Sequence, residues 1–442
     1  MIQLSDHFDY KRLLRFTFPS IVMLVFTSIY GVVDGFFVSN FAGKTPFAAV
    51  NFIMPVLIIL GCAGFMFGTG GSALIAKTMG EGDRNRANEI FSLLVYTSAG
   101  CGVVLAALGI VLLPAIAALL GAEGQLLEDS VLYGRIILCA MPLYILQMAF
   151  QCLFATAEKP QLGLAVTVAA GVANMALDAL FVGVFRWGLV GAAGATAVSQ
   201  LVGGVAPLVY FGRENPSPFR LARCRFNGRA LVQTCSNGAS ELMSNISMSI
   251  VSMLYNGQLM AKAGEDGVAA YGVLMYVSMI FQAIFIGYAV GAAPVVGYHH
   301  GAGNRDELKS LLRQSAILMG GFAAAMCLFG ELLGRPLSTL FVGYDADLLD
   351  MTAHAFSIFS LSFLCSGFAI FGSSFFTALN DGLTSALISF LRTLVFQCAA
   401  VIVFPILWGL DGIWWSIVVA EVMAVAVTLL FLIGKRRKYG YL

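Results

Sequence analysis

The chain has 442 residues, of which 59% are hydrophobic and only 11% are charged. Soluble domains are about 45–50% apolar and about 25% charged, so a water-soluble protein of this composition would leave extensive apolar surface exposed. The formal net charge of +1 excludes the strongly basic surface typical of nucleic-acid-binding proteins. The composition also excludes a disordered chain and predicts an integral membrane protein.

Apolar segments long enough to cross a bilayer recur along the whole chain. A crossing helix needs about 20 mostly apolar residues, and strand-like alternation of polar and apolar residues is absent. We therefore predict an all-α membrane protein with twelve transmembrane helices. They lie at approximately 12–40, 47–76, 89–118, 129–155, 161–184, 189–211, 230–260, 268–297, 309–334, 348–377, 383–406 and 410–434.

The positions of the cations predict how these segments are oriented. With the amino terminus inside, the outer turns contain only Lys44, Arg186, Lys262 and Arg335 of the 25 Lys and Arg residues. Arg135 and Arg392 fall within segments, and the other cations fall in inner turns or at the two ends. This asymmetry predicts a multi-pass protein with both termini in the cytoplasm.

The two halves of the chain align at a constant offset of 221 residues, half its length. The motif Gly80-x-Gly82-x-Arg84 recurs as Gly301-x-Gly303-x-Arg305, and Trp187-Gly188-Leu189 recurs as Trp408-Gly409-Leu410. Each half contains six segments, an even number, so both halves enter the membrane from the same side. This predicts two six-helix lobes related by a parallel pseudo-two-fold repeat, an arrangement typical of secondary transporters.

The polar stretch 212–229 separates the halves and contains the longest inner turn. We therefore predict an amino-terminal lobe at residues 1–211 and a cytoplasmic inter-lobe loop at residues 212–229. The carboxy-terminal lobe is predicted at residues 230–442, ending in a basic tail.

Ionisable side chains at membrane depth are costly and usually face protein or water. Asp34 lies in the first segment, and Asp178 lies in the fifth, four residues after Asn174 and on the same helix face. Glu241, Arg392 and His354 form a candidate secondary polar site. For Arg392 and His354, and likewise for Arg135 and Glu421, a structural ion pair or an interfacial position is an equal alternative.

The carboxyl groups of Asp34 and Asp178 and the amide oxygen of Asn174 could bind Na⁺ or carry a proton. Hard oxygen ligands suit Na⁺, so Na⁺ is a candidate ligand. Equally, a carboxyl in apolar surroundings favours its neutral form, which suits a proton carrier. The structural alternative is a polar contact between helices. The counterparts of Asp34, Asn174 and Asp178 in the second half are Tyr255, Val395 and Ala399, so the acidic set predicts a coupling site in the first lobe.

Motifs of other protein classes do not appear in the sequence. Gly43-Lys44-Thr45 lacks the first glycine of a P-loop, because position 38 is Val. No HExxH or GxSxG motif is present, and the nine cysteines show no CxxC spacing. We therefore predict a protein that is not an enzyme, uses no ATP and needs no cofactor other than its coupling ion.

The sequence resembles the multidrug and toxic compound extrusion (MATE) family over essentially the whole chain. The resemblance is carried by Pro19 and Asp34, Gly80-Glu81-Gly82-Asp83, Asn174-x-x-x-Asp178, Gly238-Ala239-Ser240-Glu241 and Gly301-Ala302-Gly303-Asn304. It implies a bacterial inner-membrane exporter of cationic or amphipathic compounds, driven by H⁺ or Na⁺. The cation-site residues of such relatives carry over to Asp34, Asn174, Asp178 and Thr196. The paired lobes would suffice for a monomer.

Two alternatives belong to the same superfamily. One is a flippase of lipid-linked sugars, whose cavity would offer several cations to a pyrophosphate; only Arg135 and Arg392 are available inside the segments. The other is an exporter of a specific metabolite or peptide.

The resemblance also predicts a deep acid in helix 7 and an Asp in helix 10. This chain has Glu241 nearer the inner side, Asp350 at the outer edge of the tenth segment and His354 one turn further in, which disfavours a second-lobe ion site of that kind.

Overall fold

The computed structural model describes residues 2–343 and 345–441, apart from the side chains of Ser39 and Lys44. Lys44, one of the four predicted outer cations, therefore lies outside the described side chains. Throughout these residues the secondary structure is helical, and no strand occurs in them. An all-helical fold follows from the bilayer, because a helix satisfies its backbone hydrogen bonds within one segment.

Two of the longest helices each contain a break at a glycine. Within Gly228–Gly301, Gly264 has φ 64° and ψ −149°, and within Phe396–Tyr439, Gly409 has φ 61° and ψ −133°. Glycine adopts positive φ without a steric cost, so each break is a tight turn between two membrane crossings. Two other crossings are helix pairs bent by 60° and 48°. With both breaks and both bent pairs counted, the described residues form the twelve crossings that the sequence predicts.

We number these crossings α1 to α12. The bounds are α1 Tyr10–Phe37 with a π-helical turn Val38–Ala42, α2 Lys44–Gly80, α3 Arg84–Leu119, α4 Gly124–Cys139 bent into Met141–Thr156, α5 Pro160–Asp178 with a π-helical turn Ala179–Val184, α6 Gly188–Gly212, α7 228–263, α8 265–301, α9 Arg305–Val342, α10 Ala346–Ser360 bent into Phe363–Ala378, α11 Gly382–Phe390 with a π-helical turn Leu391–Val395 continuing to 408, and α12 410–439.

The backbone repeats the internal duplication of the sequence. Positive φ occurs at Gly43 and Gly264, at Gly82 and Gly303, and at Gly188 and Gly409, each pair separated by 221 residues. The bends also correspond, because the break after Cys139 in α4 and the break after Ser360 in α10 are separated by the same offset. These three turns and the two bends therefore recur in both halves, as expected for a parallel repeat of six helices.

The recurring glycine motif is a helix-to-helix turn with a fixed chemistry. Gly82, at φ 89°, makes the turn after α2, and the side chain of Asp83 caps α3 by accepting from the Arg86 amide. In the second lobe Gly303 makes the same turn and Asn304 caps α9 by accepting from the Glu307 amide. Asp and Asn are favourable N-cap residues because their oxygens satisfy amides that have no partner within the helix.

The predicted inner ends of the two lobes are packed backbone to backbone. A Cβ atom added at Gly80 of α2 would lie 2.0 Å from the carbonyl oxygen of Tyr298 in α8. A Cβ atom added at Gly301 of α8 would lie 2.0 Å from the carbonyl oxygen of Lys77 in α2. These two contacts are related by the pseudo-two-fold repeat, so the closure of the inner side is itself nearly symmetric.

The amino-terminal segment, residues 2–9, contacts both lobes across this inner face. The Leu4 amide donates to Glu158 Oε1 in the first lobe at 2.8 Å. The Phe8 amide donates to Glu307 Oε1 in the second lobe at 2.8 Å, and His7 Nδ1 lies 2.7 Å from Glu307 Oε2. Burial raises the pKa of the Glu158 carboxyl, and the Leu4 hydrogen bond opposes this shift.

The basic carboxy-terminal tail of the sequence prediction is helical as far as Tyr439. Lys435 Nζ lies 2.6 Å from Asp381 Oδ2, and the Tyr439 hydroxyl donates to the same oxygen at 2.8 Å. Burial alone would raise the pKa of Asp381, but the hydrogen bonds from Lys435, Tyr439 and Thr384 outweigh it and hold that pKa below its usual range. The last turns of α12 are therefore anchored to the start of α11.

The close packing of α2 against α8 leaves no room for a side chain at Gly80 or Gly301. We expect Gly80→Ala and Gly301→Ala each to destabilise this state by about 1–3 kcal/mol, because the added methyl forces the backbones of α2 and α8 apart. The measurement is the melting temperature of the purified protein in detergent. Gly272→Ala is the matched control, since a Cβ atom there has no neighbour within 4 Å. Equal melting temperatures for all three variants would contradict the proposed packing.

Candidate functional site

Three of the predicted site residues converge between α1 and α5 in the first lobe. Asp34 is 9% exposed, Asn174 is 1% exposed and Asp178 is fully buried. The two helices approach closely at Gly171, where a Cβ atom would lie 2.4 Å from the ring of Phe26 on α1. Gly171, Asn174 and Asp178 are spaced by three and four residues, so they occupy one face of α5. The small residue thus brings the two polar residues against α1.

The side chains of Asp34 and Asp178 lie within electrostatic reach of each other. Two ionised carboxylates only accept hydrogen bonds, so they cannot satisfy each other without a shared proton. Among the described residues no cationic side chain forms an ion pair with either carboxyl. A buried pair of negative charges is strongly unfavourable. The pair therefore requires a proton or a bound cation.

Several oxygen atoms around this pair have no hydrogen-bond partner in the described structure. They are Asp34 Oδ1, both carboxyl oxygens of Asp178, Asn174 Oδ1 and Thr196 Oγ1. Hard oxygen atoms of this kind suit Na⁺ as well as a proton. No group of three or more His, Cys, Asp or Glu residues that would hold a metal occurs in the described residues. The donor set therefore fits a monovalent cation better than a transition metal.

Tyr133 on α4 is a member of this site that the sequence reasoning missed. It is 1% exposed, and its hydroxyl lies beside Thr196 of α6 and within electrostatic reach of Asp34 and Asp178. Tyr133 thereby connects Thr196, the residue taken from the family resemblance, to the two acids. A charged side chain within an apolar span is conspicuous in the sequence, whereas an uncharged tyrosine hydroxyl gives no comparable signal.

Tyr30 on α1 is a second uncharged residue near the acidic pair. It lies one turn before Asp34 on α1 and is within electrostatic reach of that carboxyl. The site is therefore lined by α1, α4, α5 and α6. All four helices belong to the predicted first lobe.

In the second lobe Arg392 is already neutralised. It lies in the π-helical turn of α11 and makes three hydrogen bonds of 2.9–3.1 Å to the carboxylate of Glu421 on α12. Both side chains are largely buried. Glu241 of α7 lies within electrostatic reach of Arg392 but forms no ion pair in the described structure. Arg392 thus belongs first to a structural ion pair with Glu421.

His354, the third residue of the predicted secondary polar site, has a different partner. Its Nε2 lies 3.0 Å from Asp411 Oδ1, and both side chains are more than half exposed. No described hydrogen bond or ion pair connects His354 to Glu241 or Arg392. The structure therefore brings Glu241 near Arg392 and places His354 in a separate, exposed pair.

The second-lobe counterpart of Asp34 is part of an uncharged, satisfied contact. The Tyr255 hydroxyl donates to Gln397 Oε1 at 2.9 Å. The Tyr255 ring stacks on Tyr271 at a centroid distance of 5.2 Å. No carboxyl is needed to complete this arrangement, in keeping with an acidic site in the first lobe.

Comparisons with known proteins agree with this fold. A family model described as MatE matches residues 19–180 and 241–402. The chain is 22% identical to the multidrug export protein MepA of Staphylococcus aureus (strain MSSA476), over 93% of this chain and 91% of the relative. It is 23% identical to MepA of Staphylococcus saprophyticus, over 95% and 93% of the two chains.

A solved structure shares the fold over nearly the whole length. It is described as the outward-facing conformation of a multidrug resistance MATE family transporter of the MOP superfamily. The TM-score is 0.93 at 22% identity, and the match covers 99% of this chain and 98% of that chain. Since one family model matches a large part of each half, the resemblance seen in the sequence is confirmed, and the chain belongs to the MatE family.

Proposed function

We propose that this protein is a secondary active multidrug efflux antiporter, which exports cationic or amphipathic compounds in exchange for H⁺ or Na⁺. The observation that supports it most directly is the facing pair Asp34 and Asp178, which is buried without a cationic partner in the described residues. The name of the MepA relatives, multidrug export proteins, supports the substrate class. The asymmetry of the cations supports cytoplasmic termini in a bacterial inner membrane.

The proposed mechanism uses one site for both directions of exchange. An inbound cation or proton neutralises the pair, and a cationic substrate is attracted to the same carboxyls when the ion is absent. Rocking of the two lobes presents the site to one side at a time. One charge crossing ~150 mV releases ~3.5 kcal/mol. At ~1.4 kcal/mol per decade, this sustains a substrate gradient of about 300-fold without ATP.

A flippase of lipid-linked sugars is less well supported. A pyrophosphate needs several free cations, but Arg392 is bound to Glu421 and Arg135 is exposed on α4. Export of a specific metabolite or peptide stays an alternative for the substrate, and the proposed ion site would serve it equally.

Neutralising either acid tests the proposed site. We expect Asp34→Asn and Asp178→Asn each to reduce ion-driven dye transport in everted vesicles to the level of vesicles without the protein, because an amide does not release a proton or supply a charge. Asp266→Asn, at an exposed outer position, is the matched control and should transport normally. Full activity in both site variants, at equal amounts of protein in the membrane, would eliminate this mechanism.

The coupling ion is tested by imposing one gradient at a time. Transport of a panel of cationic dyes is measured with a pH gradient at constant Na⁺, and then with a Na⁺ gradient at constant pH. We expect one of the two gradients to drive the wild type but not Asp178→Asn. A protein driven by neither gradient, or only by added ATP, would be inconsistent with antiport.

The ion pair of the second lobe is expected to be structural. Removing one partner of a buried pair costs about 3–5 kcal/mol, whereas replacing both by apolar groups is often neutral. We therefore expect Arg392→Met to lower the melting temperature strongly and the double variant Arg392→Met with Glu421→Met to restore it. The double variant should also retain ion-driven transport. A stable double variant that has lost all transport would assign the pair a role in coupling.

A further inference from the structure

The inter-lobe loop, residues 212–229, is fixed to the first lobe and has an ordered path. The ring of Phe219 is 1% exposed and stacks on Phe91 of α3 at 5.0 Å. The Leu221 amide donates to the Phe211 carbonyl at 2.8 Å, and the Arg220 amide donates to Asn88 Oδ1 at 2.8 Å. These contacts fix the loop against α3 and against the end of α6.

The anchored loop presents a basic surface next to an exposed aromatic ring. Its five arginines are all exposed: Arg213, Arg220, Arg223, Arg225 and Arg229. The one ion pair that these arginines form in the described structure joins Arg220 to Glu214, at 3.6 Å. Phe226 is 82% exposed. Cations beside an exposed aromatic ring are typical of segments that lie on an anionic membrane surface.

A groove between α5 and α6 begins directly beneath this loop. It has a volume of about 370 Å³, and it is lined by Leu162 and Val166 of α5 and by Ala206, Pro207 and Tyr210 of α6. Its polar end is formed by Arg213 and Glu214. The volume lies in the ~300–1,000 Å³ range of small-molecule sites. An apolar slot with a guanidinium at one end matches an amphiphile with an anionic head.

We propose that this groove binds an anionic phospholipid of the cytoplasmic leaflet. One acyl chain occupies the slot between α5 and α6, and Arg213 binds the phosphate, since a guanidinium donates two parallel hydrogen bonds to a phosphate. Glu214 is engaged by Arg220, which leaves Arg213 available. Arg223, Arg225 and Arg229 contribute long-range attraction to the anionic surface. This inference needs the predicted membrane orientation but not the proposed transport activity.

The test is retention of added lipid by the purified full-length protein in detergent, measured by native mass spectrometry and by melting temperature. We expect phosphatidylglycerol to be retained and to stabilise more than phosphatidylcholine. Arg213→Gln should weaken retention of phosphatidylglycerol by about fivefold, the effect of one cation near an anionic lipid. Ala206→Phe should weaken retention of both lipids, because the ring fills the slot.

Two matched controls separate this site from general effects. Arg437→Gln removes an exposed cation of α12, and Ala107→Phe enlarges an exposed residue of α3; both should leave retention unchanged. Equal retention of the two lipids by the wild type would overturn the proposal, and that comparison needs no variant to fold. A loss in Arg437→Gln as large as in Arg213→Gln would also overturn it. Stabilisation by glycerol phosphate equal to that by phosphatidylglycerol would do the same.

Discussion

Two neighbouring carboxyl groups that are buried without a cationic partner cannot both keep an unbalanced negative charge. Asp34 and Asp178 are placed in this position by the close approach of α1 and α5 at Gly171. Within the described residues their surroundings offer oxygens, from Asn174, Thr196 and Tyr133, and no positive side chain. The proposed exchange requires the packing of the first lobe to depend on a proton or small cation held between these carboxyl groups.

The second lobe uses the same helical scaffold with its charges already balanced. Arg392 and Glu421 neutralise each other through three hydrogen bonds, and Tyr255 with Gln397 forms an uncharged contact. Both arrangements are neutral overall and need no bound ion to balance their charge. In the proposed exchange, the ion therefore acts on the first lobe, and the second lobe is the partner relative to which the first lobe moves.

The fold was largely predictable because the bilayer imposes it. The length of the apolar segments predicts the twelve crossings, and the glycine motifs predict the turns at Gly82 and Gly303. The bend in α4 has a marker in the sequence, because Pro142 lies in the first turn of the helix that follows the break near Ala140. The bend in α10 was not predictable, since packing against neighbouring helices sets it and no proline lies near Leu361. At the site, spacing predicted that Asn174 and Asp178 share a face. The sequence did not reveal Tyr133, or the pairing of Arg392 with Glu421, because both depend on contacts between separate helices.

The amino-terminal segment has a consequence for the energetics of opening. It crosses the seam between the lobes and is fixed there by the carboxylates of Glu158 and Glu307. A hydrogen bond to a charged group contributes about 1.5–3 kcal/mol, so these two bonds together are similar in size to the work available from one ion moving down its gradient. Separation of the lobes on this face requires the segment to detach from at least one carboxylate. In the proposed exchange, the hydrogen bonds of Leu4 and Phe8 therefore oppose separation of the lobes with a free energy comparable to that supplied by one ion.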